Sequence, residues 1–136
     1  TKLLREFLSA QTDDQRIAGA YMLGLYRMEN ATRALAKWVA LEAPMAGVED
    51  RLPLWMAYPV AEALVRIGCP SVPAMVENLS TSDDGKVREQ SALVIRTIHG
   101  KAIGAWVVRE AATKAVEDAR KRRLQNALQY FQEPDN

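Results

Sequence analysis

The sequence predicts an all-α protein, a short α-solenoid (superhelix) of about three antiparallel helical hairpins with capping helices. Two properties predict the helices. Alanine is abundant, and apolar residues recur three and four positions apart, whereas no β-branched residues alternate with polar ones as they do in strands. A third observation predicts the hairpins, because similar helix–turn–helix segments recur along the chain. The 136 residues are enough for one domain with a hydrophobic core.

The predicted helices begin and end at residues that typically limit helices. Thr12 or Asp13 is placed to cap the helix after the N-terminal segment TKLLREFLSA, and Gly100 is placed to end another helix. Pro59 is expected to kink its helix or to split off the first turn, and a helix break is expected near Thr113. The predicted segments of a single domain, 1–136, are an N-terminal cap helix at 1–11, hairpins at 12–42, 50–79 and 82–113, and a C-terminal cap helix at 115–131.

Comparison of the sequence with itself reveals the repeat. The segment EALVRIGCPSVPAMVENL aligns with ALVIRTIHGKAIGAWVVREA at an offset of 31 residues, which pairs Leu64 with Ile95 and Met75 with Trp106. A further copy lies upstream at an offset of about 41 residues and pairs Leu23 with Leu64. A single helical hairpin cannot cover its own apolar face, so hairpins of alike register are expected to stack around one continuous core. This register assigns Trp106 to that core.

Three segments resemble HEAT-like repeats. They are DDQRIAGAYMLGLYRMENATRALAKWV, VAEALVRIGCPSVPAMVENL and DDGKVREQSALVIRTIHGKAIGAWVV, of which the second is similar to the bilin-lyase type of HEAT repeat. The resemblance covers roughly residues 12–113 and implies a curved α-solenoid that binds proteins, with the second helix of each hairpin on the concave side. Gly19, an added residue in the first turn and the long loop 43–50 depart from the family pattern.

The repeat register also predicts a binding surface. Each second helix presents one residue just beyond its core pair, and a neighbour of that residue, to the concave face. An aromatic ring beside charged side chains there would make a contact patch for a protein partner. The alternative for Trp38 is a place in the core. The predicted partner-binding residues are the equivalent set Trp38, Asn78 and Arg109, the neighbouring set Lys37, Glu77 and Val108, and Arg33.

No sequence pattern predicts catalysis, a metal site or a cofactor. His99 is the only histidine and Cys69 the only cysteine, whereas a zinc site needs several such ligands. The sequence has no His-Glu pair of the kind that HEAT-like hydroxylases use, no nucleophile elbow and no Gly-rich phosphate loop. We interpret His99 as a capping or surface group and Cys69 as a turn residue packed between hairpins. We therefore expect neither enzymatic activity nor a cofactor.

Charge and hydropathy limit the class of partner. The net charge of +1 favours neither nucleic acid nor a membrane, and no apolar run approaches the roughly 20 residues of a membrane span. The basic run RKRR at 120–123 lies near Glu117 and Asp118, so we interpret it as a solvated, partly paired face. A protein partner and a cytoplasmic location are the expectation. The rival hypotheses are a chromophore-handling or lyase-type factor, a nucleic-acid binder using the C-terminal basic helix, and a homodimer that hides one end of the stack.

Two further contacts are expected. Arg16 and Arg88 lie at matched distances before the core residue of their helices, so each is expected to pair with an acidic residue at the mouth of its hairpin. The acidic candidates are Asp13, Asp14, Asp83 and Asp84. We also expect Trp55, Met56 and Tyr58 to pack the loop 43–50 onto the body of the protein.

Overall fold

The computed structural model describes residues 1–44 and 57–132, which form two compact units, Thr1–Ser71 and Val72–Asn136. All regular structure in these residues is helical and none is strand, so the all-α prediction is confirmed. Short 3₁₀ helices span Glu29–Ala31, Cys69–Ser71 and Leu128–Phe131. The α-helices are α1 (Lys2–Leu8), α2 (Asp13–Leu25), α3 (Thr32–Ala36) and α4 (Pro59–Ile67) in the first unit, and α5 (Val72–Thr81), α6 (Gly85–His99), α7 (Lys101–Lys114) and α8 (Asp118–Ala127) in the second.

The first unit is built around α2, which packs against α1 and α4, while α3 also packs against α4. Thr12 caps α2 by accepting the Gln15 backbone N–H, and the Gln15 side chain accepts the Thr12 backbone N–H in return. Of the two predicted N-cap candidates, Thr12 is therefore the cap. α2 and α4 cross at near backbone contact, because a Cβ atom at Gly24 would lie 2.8 Å from Ala63 Cα.

Helix α4 begins at Pro59, the first helical position. Proline is favoured there because the backbone N–H that it lacks has no intrahelical partner at that position. The described helix therefore starts at the proline that was expected to kink it. Tyr58 donates its hydroxyl to Glu42 Oε1 at 3.1 Å. Trp55 and Met56, and the other residues of the predicted helix up to position 56, lie outside the described residues.

The four helices of the second unit form a ring. α5 packs against α6, α6 against α7, α7 against α8, and α8 against α5. Leu124 and Ala127 of α8 are buried, and the buried Phe131 that follows lies against Gly104, where a Cβ atom would come within 2.7 Å of the ring. α7 ends at Lys114 and α8 is a separate helix, so the predicted break near residue 113 is confirmed.

Ion pairs also attach α8 to α5 and to the loop after it. Arg120 Nη1 lies 3.1 Å from Glu77 Oε1, and Arg123 Nε lies 2.9 Å from Asp83 Oδ1. Arg120 Nε is also 3.9 Å from Glu117 Oε1. The interpretation of the basic run as a partly paired face is therefore confirmed.

The Arg123–Asp83 pair predicts a measurable pKa change. The Arg123 guanidinium donates to the Asp83 carboxylate and lowers the pKa of that carboxyl below its ordinary value. A carboxyl whose pKa is lower in the folded chain stabilises the fold above its unfolded pKa of about 3.9, and this contribution is lost as the pH falls through the folded pKa. Replacing Arg123 by glutamine is expected to raise the pKa of Asp83 toward the ordinary value. An NMR titration of the Asp83 carboxyl carbon measures this change, with Arg122→Gln as the matched control. Identical titration curves for Arg123→Gln and the parent chain would refute the pairing.

A residue with positive φ ends the first helix of each predicted hairpin. The φ angle is 50° at Arg27, 90° at Gly68 and 83° at Gly100, which confirms Gly100 at the helix end. Glycine adopts such angles without steric strain. Gly68 and Gly100 are 32 residues apart, whereas the fully buried Leu64 and Ile95 are 31 apart. The stretch from the buried residue to the glycine is therefore one residue longer at the end of α6 than at the end of α4, and the predicted constant offset fails there.

The buried face of α7 also departs from the predicted alignment. The buried residues of α7 are Gly104, Val108 and Ala112. Trp106 is 55% exposed, although Met75, its partner in the predicted alignment, is fully buried. The assignment of Trp106 to the core is therefore wrong.

A second correspondence, at 72 residues, relates the two units. The N-caps of α2 and α6 are Thr12 and Asp84, and an arginine follows each cap by four residues. Each arginine donates to the carbonyl of the residue six positions before it, near the end of the preceding helix. These bonds are Arg16 Nη2 to Ala10 O at 3.4 Å and Arg88 Nη1 to Ser82 O at 3.0 Å. α1 thus corresponds to α5, so the predicted N-terminal cap helix is the equivalent of the second helix of a hairpin.

The two arginines differ in their other partners. Arg16 pairs with Asp13 at 3.0 Å, as predicted. Arg88 donates to backbone carbonyls in place of the predicted acidic side chain, reaching Leu79 O at 2.7 Å and Arg123 O at 2.7 Å besides the Ser82 carbonyl. This single side chain of α6 therefore holds both the end of α5 and the middle of α8.

Candidate functional site

The predicted partner-binding residues divide between the two units. Those in the first unit lie in and just after α3, and those in the second unit lie on α5 and α7. The first group is Arg33, Lys37 and Trp38, and the second is Glu77, Asn78, Val108 and Arg109.

The residues of the second group serve mainly to hold that unit together. Val108 has no exposed surface, which removes it from the predicted site. The predicted offset of 31 residues fails at the end of α6, so Val108 does not take the exposed position of Glu77. Glu77 is exposed but paired with Arg120 of α8, and Asn78 donates from Nδ2 to Ser91 Oγ at 3.1 Å. Their polar groups therefore already have partners within the second unit.

Arg109 is exposed and lines a separate groove between α7 and α8. The groove has a volume of about 350 Å³. Its other lining residues are Ala112, Thr113, Lys121, Gln125 and Leu128. The hydroxyl of Thr113 donates to Arg109 O at 3.0 Å, which is a bond within α7. Arg109 and Trp38 therefore belong to different units and line different grooves.

Trp38 and Lys37 border a groove of about 210 Å³ in the first unit, which we name the Trp38 groove. Its walls come from the end of α1, the first turn of α2, and α3 with the turn that follows it. Arg33 is exposed on α3 but does not line the groove. The lining residues are Phe7, Leu8, Ala10, Arg16, Ala34, Lys37 and Trp38.

Local packing holds Trp38 at the surface. It lies just beyond the end of α3, and its backbone N–H donates to Leu35 O at 2.9 Å. Leu35 and Val39, on either side in the sequence, are fully buried and anchor this turn. Trp38 itself remains 36% exposed. Trp38 is therefore not a core residue, which was the alternative assignment from the sequence.

Arg16 covers one face of the Trp38 ring. The guanidinium carbon lies 4.1 Å from the ring centroid, a cation–π contact that contributes about 0.5–1 kcal/mol at exposed sites. The ion pair with Asp13 and the bond to Ala10 O hold the same guanidinium from other directions. The sequence comparison matched Arg16 with Arg88 but did not predict the contact with Trp38, because the two residues belong to different helices.

The Trp38 groove combines an apolar floor with positive charge. Leu8 at one end is 64% exposed. Arg16 and Lys37 are the charged residues of the lining, and Asp13, the ion-pair partner of Arg16, lies outside it. Such a surface complements a segment that carries an apolar side chain next to a carboxylate.

The residues singled out for metal or redox chemistry are not gathered into a site. Among residues 1–44 and 57–132, no group of His, Cys, Asp and Glu side chains is arranged to hold a metal ion. His99 is the last residue of α6 and half-buried. Cys69 is exposed, so its predicted packing between hairpins is wrong. None of the helices in the described part of the chain has the length and apolarity that a membrane crossing requires.

No protein-family model, no curated protein and no solved structure matches this chain. The resemblance to HEAT-like repeats therefore stays a prediction from the sequence. A function for the chain has to be inferred from its own contacts, and the Trp38 groove offers the best-defined ones.

Proposed function

We propose that this chain is a non-catalytic protein-interaction module that binds a segment of a protein partner in the Trp38 groove. The observation that carries the proposal is the Trp38 ring, held at the surface with Arg16 on one face and an open groove beside it. Tryptophan and arginine are enriched among the residues that dominate binding energy at protein interfaces. Side chains that are already fixed lose little conformational entropy on binding, which favours affinity.

The lining of the groove specifies the partner segment. Trp38 and the exposed Leu8 offer apolar area, while Arg16 and Lys37 offer positive charge. An aliphatic or aromatic side chain would bury against the first pair, and an adjacent aspartate or glutamate would face the second pair. Charge complementarity of this kind mainly sets orientation and speeds association.

The same proposal places the groove in a HEAT-like α-solenoid. Two observations support the solenoid. α2 packs against α4, and these are the first helices of successive predicted hairpins. A turn with positive φ also recurs after the first helix of each hairpin. In the second unit α8 contacts both α5 and α7, an arrangement that a regular stack of hairpins does not require.

The rival functions have less support. Two of the four residues of the basic run, Arg120 and Arg123, are already paired with carboxylates. A chromophore-handling factor needs a titratable acid–base pair in its pocket, whereas the Trp38 groove is lined by cations and apolar groups.

Replacing Trp38 by alanine is expected to weaken binding of short acidic–apolar peptides at least tenfold, a loss of about 1.4 kcal/mol. The probes are synthetic peptides in which leucine or phenylalanine is flanked by glutamates, and matched peptides in which lysine replaces glutamate. Fluorescence anisotropy of labelled peptides measures the affinity. Lys37→Glu should also weaken binding of the acidic peptides, because it reverses one of the two charges.

Trp106→Ala is the matched control, because this tryptophan is also exposed but lies in the other unit. The indole N–H signals in NMR show where the peptide binds, and Trp38→Phe identifies the signal of Trp38. Equal affinities for acidic and basic peptides, or a loss caused equally by Trp38→Ala and Trp106→Ala, would refute the proposal. A thermal unfolding curve for each variant separates loss of binding from loss of fold.

A further inference from the structure

The groove between α7 and α8 is a second candidate site, and its lining residues all belong to the second unit. We name it the Arg109 groove. Its volume of about 350 Å³ falls within the range of about 300–1,000 Å³ that small-molecule sites occupy. The chemistry of the lining then indicates which class of ligand it suits. The lining residues are Arg109, Ala112, Thr113, Lys121, Gln125 and Leu128.

Each wall of the Arg109 groove presents a cation and a neutral polar side chain. α7 contributes Arg109 and Thr113, and α8 contributes Lys121 and Gln125. The two members of each pair are four residues apart, which places them on the same face of their helix. The groove therefore carries one positive charge on each of its two walls.

The cations of the Arg109 groove are not used to hold the fold together. Arg120 and Arg123 of α8 are paired with acidic side chains. Within the part of the chain that the structure describes, by contrast, no carboxylate forms an ion pair with Arg109 or Lys121. Both positive charges are therefore available to an anionic ligand.

The polar groups of the lining favour a dianion with several acceptor oxygens. Arginine and lysine side chains only donate hydrogen bonds, and the Gln125 amide adds two further donors. The Thr113 hydroxyl already donates to Arg109 O at 3.0 Å. A phosphate monoester has three strong acceptor oxygens and a charge of about −1.5 to −2 at neutral pH, whereas a carboxylate carries one charge. The two cations thus match a phosphate monoester better than a carboxylate.

The lining also offers apolar surface beside its polar groups. Leu128 is half-buried and Ala112 is buried. An aromatic or aliphatic group attached to the phosphate would cover the remaining exposed surface of Leu128, which favours binding.

We infer that the Arg109 groove binds a phosphate monoester whose organic part is apolar. Arg109 and Lys121 hold the phosphate from the two walls, and Gln125 donates to a phosphate oxygen. Arginine binds phosphate through two parallel N–H donors, and lysine binds it as a point charge. The organic part lies against Leu128. This site is independent of the Trp38 groove, so its failure would leave the proposed function untouched.

The test titrates the full chain with phenyl phosphate at about pH 8, where a phosphate monoester carries two charges. NMR follows the backbone amide signals of Thr113 and Gln125 and the Nε–H signal of Arg109. A Kd below about 1 mM is expected. Phenyl sulfate has a similar shape but a single charge, so it should bind at least about tenfold more weakly. Inorganic phosphate lacks the ring and should also bind more weakly. The inference is overturned if phenyl phosphate does not saturate these signals at about 10 mM. It is also overturned if phenyl phosphate binds no more tightly than the two other anions.

Arg109→Gln and Lys121→Gln are each expected to weaken binding of phenyl phosphate at least about tenfold, because each removes a charge-assisted hydrogen bond. Arg122→Gln is the matched control, since Arg122 is exposed on α8 next to Lys121 but does not line the groove. This control should bind as the parent chain does. An equal loss for Lys121→Gln and Arg122→Gln would show that the general positive charge of the basic run attracts the anion, and the inference would be wrong. A thermal unfolding curve for each variant shows whether the fold is retained.

A further titration identifies the source of the phosphate monoester. The probe is a short peptide that contains phosphotyrosine, which carries the same phenyl phosphate group. Tighter binding of the peptide than of phenyl phosphate would assign the site to a phosphorylated protein segment. Binding no tighter than that of phenyl phosphate would assign it to a small molecule. Either result supports the site, because both ligands present the same group to the Arg109 groove.

Discussion

Replacing Gly24 by valine is expected to lower the free energy of unfolding by about 3 kcal/mol, the upper part of the usual range for overpacking a core. The Cβ atom alone would lie 2.8 Å from Ala63 Cα and 3.0 Å from Ala63 Cβ. A flexible side chain could move aside, but a backbone atom moves only if the helix moves. Valine adds two methyl groups beyond that Cβ, so α2 and α4 would have to separate. Urea denaturation followed by circular dichroism measures the change.

Gly85→Ala is the matched control for Gly24→Val. Gly85 is the first residue of α6, and a Cβ atom there has no neighbour within 4 Å. Alanine favours a helix over glycine by as much as about 1 kcal/mol in helix interiors, so this variant is expected to be as stable as the parent chain or slightly more stable. A parent-like urea midpoint for Gly24→Val would mean that α2 and α4 do not approach so closely.

Replacing Arg88 by methionine is expected to lower the free energy of unfolding by about 3 kcal/mol. Hydrogen bonds from a charged group contribute more to stability than hydrogen bonds between neutral groups. The Arg88 guanidinium donates to the carbonyls of Leu79, Ser82 and Arg123 at 2.7, 3.0 and 2.7 Å. Methionine keeps most of the apolar stem but none of the donors. The three carbonyls, which lie in partly buried surroundings, would lose this partner together.

Arg16→Met is the matched control for Arg88→Met, because Arg16 holds the equivalent position in the first unit. Its contacts are weaker: one carbonyl at 3.4 Å, an exposed ion pair with Asp13 and the face of Trp38. We expect a loss of about 1 kcal/mol for this variant. Urea denaturation of both variants tests the comparison, and equal losses would show that the carbonyl bonds of Arg88 are not the source of the difference.

Local signals were enough to predict the helices. The cap at Thr12, the helix end at Gly100 and the break near Thr113 are each set by residues within one turn of the boundary. Such boundaries depend on backbone hydrogen bonds that the neighbouring side chains complete or prevent. The described helices follow these signals.

Two residue assignments, Val108 at the surface and Trp106 in the core, failed because they depended on exact register. The constant offset fails between Ile95 and Gly100, and α7 turns Val108 inward and Trp106 outward. Periodicity alone does not detect this shift, because both faces of α7 carry large apolar residues. The contact of Arg16 with Trp38 was not predictable either, since it depends on how separate helices meet.

The three carbonyls held by Arg88 have a consequence for local unfolding of the second unit. The last turn of α5 and the middle of α8 share one guanidinium, so fraying of either segment leaves the other less protected. Amide exchange in these two segments should therefore occur as one cooperative event, although more than forty residues separate them along the chain.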